Sequence, residues 1–299
     1  MQNFILYQAY GSIDHVNECR YSLLKYLEMY NLKPPADIGV IVYTDQPAFF
    51  EVFAAFFHYF DIKEISQTQI KEWRGSIDFA KRVKMEILRE FLEHTPGNLL
   101  YCDADTYFTG PVHSLLSEIR NGTLMMHESL GCLGKLSGPS AQSLKKNITG
   151  NPPEYNQKKL VYSDQQELWS AAVIGLNSEH KELLTDTLAL TDVVHSQNSR
   201  PVTESFAFSY CFQHSGKVLS AAPQVEHYHD LKEFRSLLSI FFKKNEEESI
   251  PNLVKLVHHL DAATIRQYKN KFEALPFYKK WLYTLIGKKW SIRQFEKKI

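Results

Sequence analysis

The sequence predicts an α/β fold: a mixed, mainly parallel sheet flanked by helices, continued by a helical C-terminal extension. Three observations predict it. Over the first 110 residues, short apolar runs alternate with amphipathic helical patterns, the signature of a parallel sheet with helices on both faces. At 299 residues the chain is long enough for one large or two modest domains. Hydrophobic residues make up 44% and charged residues 23%, which favours a packed core over global disorder.

The elements follow in order. Phe4-Ile-Leu-Tyr-Gln-Ala9 is a short apolar strand ended by Tyr10-Gly11. Val16, Cys19, Leu23, Leu27 and Tyr30 recur at spacings of three and four, one face of a helix, and Pro34-Pro35 closes that unit. Ile38-Gly-Val-Ile-Val-Tyr43 is a strand rich in β-branched residues. Phe49 to Tyr59 reads as an aromatic helix contributing to the core, and Asp61 to Ser66 as a weaker strand. Ala80, Val83, Ile87 and Phe91 define a helix that stops before Pro96-Gly97. Asn98-Leu-Leu-Tyr-Cys102 is a buried-type strand running into Asp103-Ala104-Asp105. In sheets of this kind ligands bind beyond the carboxyl ends of the strands, and the pattern places both aspartates there.

The second half is less regular. Fourteen of the 32 residues in 129–160 are Gly, Pro, Ser or Asn, and five Lys stand against one Glu. The segment reads as a long functional loop, a lid that orders over a ligand. Ala171 to Asn177 restores a strand, helices are expected over 178–195 and 201–214, and a short strand near Val218-Leu219 leads to His227-Tyr-His229. From Asp230 onward the chain reads as helices with charged faces.

Charge and cysteine usage exclude several classes. With 34 Lys+Arg against 34 Asp+Glu, whole-surface nucleic-acid binding is not expected. No apolar run approaches the roughly 18 residues of a membrane span. The start, MQNFILYQAYG, lacks the basic region and apolar stretch of a signal peptide. Cys19, Cys102, Cys132 and Cys211 stand far apart and read as reduced thiols, so a cytoplasmic protein is expected. The balance is not local. Residues 277–299 carry seven Lys/Arg and one Glu, so this tail is +6 and the rest of the chain −6. Trp281, Leu285 and Ile286 share one helical side there, flanked by Lys279, Lys280, Lys288 and Lys289. That pattern suits either a helix packed on the main domain or a peripheral contact with anionic lipid through 277–299.

Two clusters carry chemistry. Asp103 and Asp105, at i and i+2 after a buried strand, can converge on one hard divalent cation that keeps positions open for phosphate. In Val225-Glu-His227-Tyr-His229-Asp-Leu-Lys232, His227 and His229 share one face of a strand, and imidazole completes a carboxylate site more naturally for Mn²⁺ than for Mg²⁺. His258-His259 is a rival to His227.

With these motifs in place, the sequence resembles the GT-A fold (Rossmann-like) glycosyltransferases, and within them the group of glycogenin and the bacterial lipopolysaccharide glucosyl- and galactosyltransferases. The resemblance covers about residues 3–235. It implies a catalytic domain over 1–235, with a nucleotide-binding half 1–110 and an acceptor half 111–235, followed by the extension 236–299. It further implies transfer of a sugar from a nucleotide-diphospho-sugar, a UDP-sugar being favoured, to a glycan or lipid-linked acceptor, with Mn²⁺ (or Mg²⁺) as cofactor. By that resemblance Asp103, Asp105 and His227 hold the metal, and Asp103-Ala104 touches the donor diphosphate. Tyr7, Ala9 and Tyr10 lie where the family contacts the nucleotide base, and Asp45 ends the second strand in a similar place. Arg74 and Lys84 fall in the region carrying a donor-contacting cation. The stem of Lys84 can pack beside Val83 and Ile87 while its ammonium reaches the sheet edge. Ala171 and Ala172 correspond to small residues beside the donor sugar, and Lys232, five residues after His227, to a lysine on the diphosphate. Glu204, opening a helix, and Asp164, in an Asp-Gln pair, are the catalytic candidates, although Asp164 precedes the small-residue strand where the family's pair follows it. Two other classes compete. Asp103-Ala-Asp105-Thr-Tyr107 partly fits the DxDx[TV] motif of haloacid-dehalogenase-type phosphatases, with Tyr at the fifth position, and an inactive donor-binding or membrane-surface protein would use the same surfaces without turnover.

Overall fold

Three apolar runs in the first hundred or so residues lie towards the centre of the sheet: β1 (Gln2–Ala9), buried along most of its length, and β2 (Ile38–Thr44) and β4 (Gly97–Cys102), buried along all of theirs. β3 (Phe60–Glu64) lies at the edge and is only half-buried. The computed structural model describes residues 2–197, 199–286 and 289–298, apart from the side chains of 297 and 298. Between these strands run α1 (Ile13–Met29), α2 (Gln67–Trp73) and α3 (Arg82–His94). Next come β5 (Thr106–Phe108), α4 (Val112–Arg120), β6 (Leu124–Met126) and β7 (Ser129–Cys132). They are followed by α5 (Pro139–Gly150), β8 (Glu154–Tyr155), β9 (Lys158–Lys159), β10 (Glu167–Trp169) and β11 (Val173–Asn177). The chain then continues through α6 (Glu182–Gln197), α7 (Val202–Ser215), β12 (Val218–Ser220) and β13 (Val225–His227). It ends in α8 (Glu233–Lys244), α9 (Ile250–Val257), α10 (Ala262–Glu273) and α11 (Phe277–Leu285).

The main sheet has the order β12-β6-β11-β4-β1-β2-β3. Its ladders are parallel from β4 through β3 and between β12 and β6, and β11 runs antiparallel between β4 and β6. The expected mixed, mainly parallel sheet is therefore present. One face packs α1, α4 and the C-terminal helices α8, α9 and α10. The other packs α3, α6 and α7.

Two expectations are corrected. Residues 49–59 form short 3₁₀ turns, Pro47–Phe49 and Glu51–Phe56, rather than a helix. The buried anchors Phe50 and Phe53 stand three apart, the repeat of a 3₁₀ turn, while Phe49, Val52 and Tyr59 face solvent. The segment 129–160 is likewise no structureless loop: it holds β7, α5 and the β8–β9 hairpin. Its sparse apolar residues do the packing, since Ala141, Leu144 and Ile148 recur on one side of α5 and join Leu133, Tyr155 and Leu160 against α6 and α7.

At the chain's end, α11 buries none of its residues. Phe277 is 85%, Trp281 56% and Leu285 63% exposed, so this helix is not packed on the sheet domain. Gly287 and Lys288 lie outside the described residues. No helix among the described residues is long and apolar enough to cross a membrane.

Candidate functional site

The site forms where β4 ends. Asp103 is fixed through its backbone, its N–H donating to Ala172 O at 2.8 Å, and Thr106 N donates back to Asp103 O at 3.1 Å to close the turn. The chain then enters β5, which pairs antiparallel with β13 so that Thr106 stands opposite His227. That register carries the imidazole to the motif: His227 Nε2 lies 3.3 Å from Asp105 Oδ1, and Tyr228 N donates to Asp105 O at 3.1 Å. A carboxylate oxygen from each of Asp103 and Asp105 and a ring nitrogen of His227 all lie within 4.8 Å of one another. Two oxygens and one nitrogen at this spacing fit a divalent cation such as Mn²⁺.

The electrostatics support convergence. Burial works to raise the Asp105 pKa, yet the hydrogen bond and charge of His227 leave it below the ordinary carboxylate range. Burial works to lower His227, and Asp105 leaves it raised. Two more imidazoles stand alongside. His229 stacks on His227 at 4.5 Å, and buried His127 meets it edge-on at 5.3 Å while its Nε2 bonds Val225 O at 3.0 Å.

A cavity of ≈ 460 Å³ opens beside the aspartates, walled by Tyr10 and Gly11 after β1, by Glu18 on α1, and by Lys81, Lys84, Glu204 and Arg235. Lys84 is 3% exposed, and its ammonium meets Ala171 O at 2.8 Å, Asp103 Oδ1 at 2.8 Å and Glu204 Oε1 at 2.6 Å. Burial alone would lower its pKa, but the two carboxylates hold it above the ordinary lysine value, so it stays charged. Glu204 is itself 1% exposed in the first turn of α7, and its other oxygen takes Lys81 Nζ at 2.6 Å. The lysines outweigh burial and keep Glu204 ionised below its usual range. Elsewhere in the lining, Arg235 Nε lies 2.8 Å from Glu18 Oε1. There burial wins, and the Glu18 carboxyl is pushed up to about 7.

Of the residues singled out from sequence, Tyr10, Lys84, Asp103, Ala104, Asp105 and Glu204 line this cavity. Ala171 and Ala172 stand behind it, accepting from Lys84 and Asp103 through their carbonyls. Asp45 accepts Gly11 N at 3.1 Å and Gln67 Nε2 at 2.8 Å, holding the turn where Gly11 takes a positive φ of 81°. The rest are not brought together. Tyr7 and Ala9 are core residues, the Tyr7 hydroxyl accepting from Ser22 Oγ at 3.1 Å. Arg74 pairs with Asp78 at 2.7 Å. Lys232 is exposed at the start of α8 and does not line the cavity. Asp164 is exposed outside the cavity and pairs with Lys145 at 2.8 Å. His258 is exposed against Glu28 at 2.6 Å, away from the aspartates. Sequence reasoning missed Glu18, Lys81, His127 and Arg235.

No family model and no curated protein matches the chain. Among solved structures it is similar to mouse xyloside xylosyltransferase 1 in its apo form, at 12% identity and a TM-score of 0.47, over 74% of this chain and 85% of that one. It is similar also to the galactosyltransferase LgtC in complex with donor and acceptor sugar analogues, at 11% identity and a TM-score of 0.49, over 72% of each chain. A third is the glycosyltransferase GlyE of Streptococcus pneumoniae, at 13% identity and a TM-score of 0.44, over 84% of this chain and 51% of that one. The chain thus spans about half the length of GlyE. What fold and site define together is an α/β protein with a carboxylate–histidine triad and a lysine-backed cleft at the C-terminal edge of its sheet.

Proposed function

We propose that this chain is a glycosyltransferase that moves a sugar from a nucleotide-diphospho-sugar, a UDP-sugar being favoured, to a glycan or lipid-linked acceptor. The observation that carries the reading is the convergence of Asp103, Asp105 and His227 beside a cleft backed by Lys81, Lys84 and Arg235. Asp103, Asp105 and His227 would hold Mn²⁺ or Mg²⁺, which when bound supplies positive charge against the departing nucleotide diphosphate. The chain's own groups act around that centre. Lys84 holds the Asp103 carboxylate in place through its ion pair. Lys81, 46% exposed, can turn from Glu204 toward a phosphate, and Arg235 offers the face of its guanidinium that Glu18 leaves open. Glu204 anchors both lysines, and Tyr10 and the Asp45-braced turn at Gly11 border the nucleotide end.

The test is thermal shift with UDP-, GDP- and dTDP-sugars, each with and without Mn²⁺, since a ligand that binds only the folded state raises Tm. One donor class should raise Tm in a metal-dependent manner, and Asp105→Ala should abolish that shift while the variant unfolds as cooperatively as the parent. Wild-type donor and Mn²⁺ binding by Asp105→Ala would remove the metal assignment.

The exposed α11 extends the proposal to a bilayer contact. Its uncovered Phe277, Trp281 and Leu285 beside Lys279 and Lys280 suit the interface of an anionic membrane, where a lipid-linked acceptor resides. Sedimentation with anionic vesicles should deplete the full chain more than with neutral ones, and Trp281→Ser with Leu285→Ser should cut that binding. Equal and negligible binding to both vesicles would leave a soluble acceptor.

A further inference from the structure

We infer that Arg266, on α10, is a positioning residue for His227, so that the C-terminal helices complete the metal-binding end of the cleft. The inference rests on the reading of Asp103, Asp105 and His227 as a metal site. Its starting point is what holds the backbone of His227, whose ring is already met by Asp105, His127 and His229. The residue ends a three-residue strand whose ladder is with β5 alone. The pairing continues past it through Tyr228 N and Asp105 O, so the strand is held along its β5 edge, and among the described residues no second strand covers its other edge.

Arg266 supplies the other side. Its Nη2 donates to the backbone carbonyl of His227 at 2.6 Å, and its Nη1 pairs with Glu226 Oε1 at 2.8 Å. Its Nε stands 3.0 Å from Asp230 Oδ1, an ion pair off the line of a hydrogen bond. One planar guanidinium therefore spans the residues before and after His227 and grips its carbonyl, which a point-charge ammonium cannot do. The helix bearing it is fixed in turn. Asp261 caps α10 by accepting from Thr264 N at 3.1 Å, and its other oxygen accepts from the Tyr107 hydroxyl at 2.7 Å. Tyr107 belongs to β5, so α10 clips both strands of the pair that carries Asp105 to His227. Ala262 and Ile265 bury beneath it in the same core as the sheet.

The effect on the site has a sign that separates this role from simple electrostatics. Removing a cation near two aspartates would, by charge alone, tighten divalent binding, since Glu226 and Asp230 would then add uncompensated negative charge. Loss of positioning does the opposite: groups that orient a ligand from outside typically change metal affinity by about 10–100-fold.

The experiment measures Mn²⁺ binding to the full chain by electron paramagnetic resonance, with melting temperature recorded in parallel. Wild type, Asp105→Asn, Arg266→Gln and Arg266→Lys are compared. Arg266→Gln should bind Mn²⁺ about tenfold more weakly, with Arg266→Lys between it and wild type. Mn²⁺ bound by wild type in an Asp105-dependent way, but equally or more tightly by Arg266→Gln, overturns the positioning role and leaves the metal site standing. Wild type that binds no Mn²⁺, or binds it no better than Asp105→Asn, overturns the metal reading and this inference together. Should Arg266→Gln fail to fold, Arg266→Lys decides alone: affinity equal to wild type refutes the role.

Discussion

Asp103 and Asp105 stand two residues apart, yet the protein neutralises them by opposite means. Asp103 faces a buried lysine and the Tyr101 hydroxyl, at 2.8 and 2.7 Å. Lys84 is held in place, because three acceptors surround its buried ammonium. Asp105 faces an imidazole, whose proton can be given up when a metal takes its place. The lysine half is scaffold and the histidine half is exchangeable. The difference teaches that a paired-carboxylate motif does not assign equal roles to its members; the groups packed against each one do.

The largest expected effect comes from breaking the lysine half. Lys84→Met keeps most of the packed volume but leaves buried Glu204, with Lys81 as the remaining cation paired to it, beside the half-buried Asp103. Breaking a buried ion pair from one side costs about 3–5 kcal/mol. Urea unfolding should show a loss of that order, and a loss under about 1 kcal/mol would mean the lysine is no scaffold.

A carboxylate outside both halves, on the cavity wall, should respond to pH. Glu18, on the wall with Arg235, has its carboxyl raised from 4.5 to about 7 by burial, against the opposing pull of Arg235. Between those values the folded chain keeps a proton that the unfolded chain has lost. Stability contributed by the protonated form is therefore complete below about pH 4.5 and is lost as pH rises through about 7. Glu18→Gln lacks this loss. Its unfolding free energy should gain on wild type by up to about 3 kcal/mol from acid pH to pH 8. A pH-independent difference between the two proteins would show that Glu18 ionises freely and that this wall is not desolvated.

Much of this contrast was legible in the sequence, and the part that was not has physical causes. The buried run Asn98–Cys102 marks the strand, and the strand places the aspartates at the sheet edge. The i, i+2 histidines mark a strand face, although the partner strand Thr106–Phe108, too short for a periodicity signal, is what delivers His227 to Asp105. Spacing from His227 points to Lys232. The chain instead turns into α8 after it, and the helical repeat of Leu231, Phe234 and Leu238 on the buried side leaves Arg235, three residues later, toward the cleft. Nothing in the sequence separates Lys81 from Lys84, because only the placement of the helix Arg82–His94 buries the second and leaves the first exposed. In 129–160 the abundance of Gly, Pro and Ser hid three apolar residues at helical spacing, which suffice because α6 and α7 supply the rest of that core.

The smallest effect is also the cleanest control on the comparison. Tyr101 is fully buried in β4, and its hydroxyl donates to the same Asp103 oxygen that Lys84 reaches. Tyr101→Phe removes one oxygen, creates no sizeable cavity, and leaves the ammonium on the carboxylate. A hydrogen bond to a charged group contributes about 1.5–3 kcal/mol, and Lys84 remains to satisfy the oxygen, so the loss should fall at about 1 kcal/mol, below that of Lys84→Met. Mn²⁺ affinity should change less than tenfold, because the carboxylate keeps its direction. If Tyr101→Phe instead cost as much as Lys84→Met, then hydrogen bonding rather than fixed charge holds Asp103, and the division between a locked and an exchangeable carboxylate collapses.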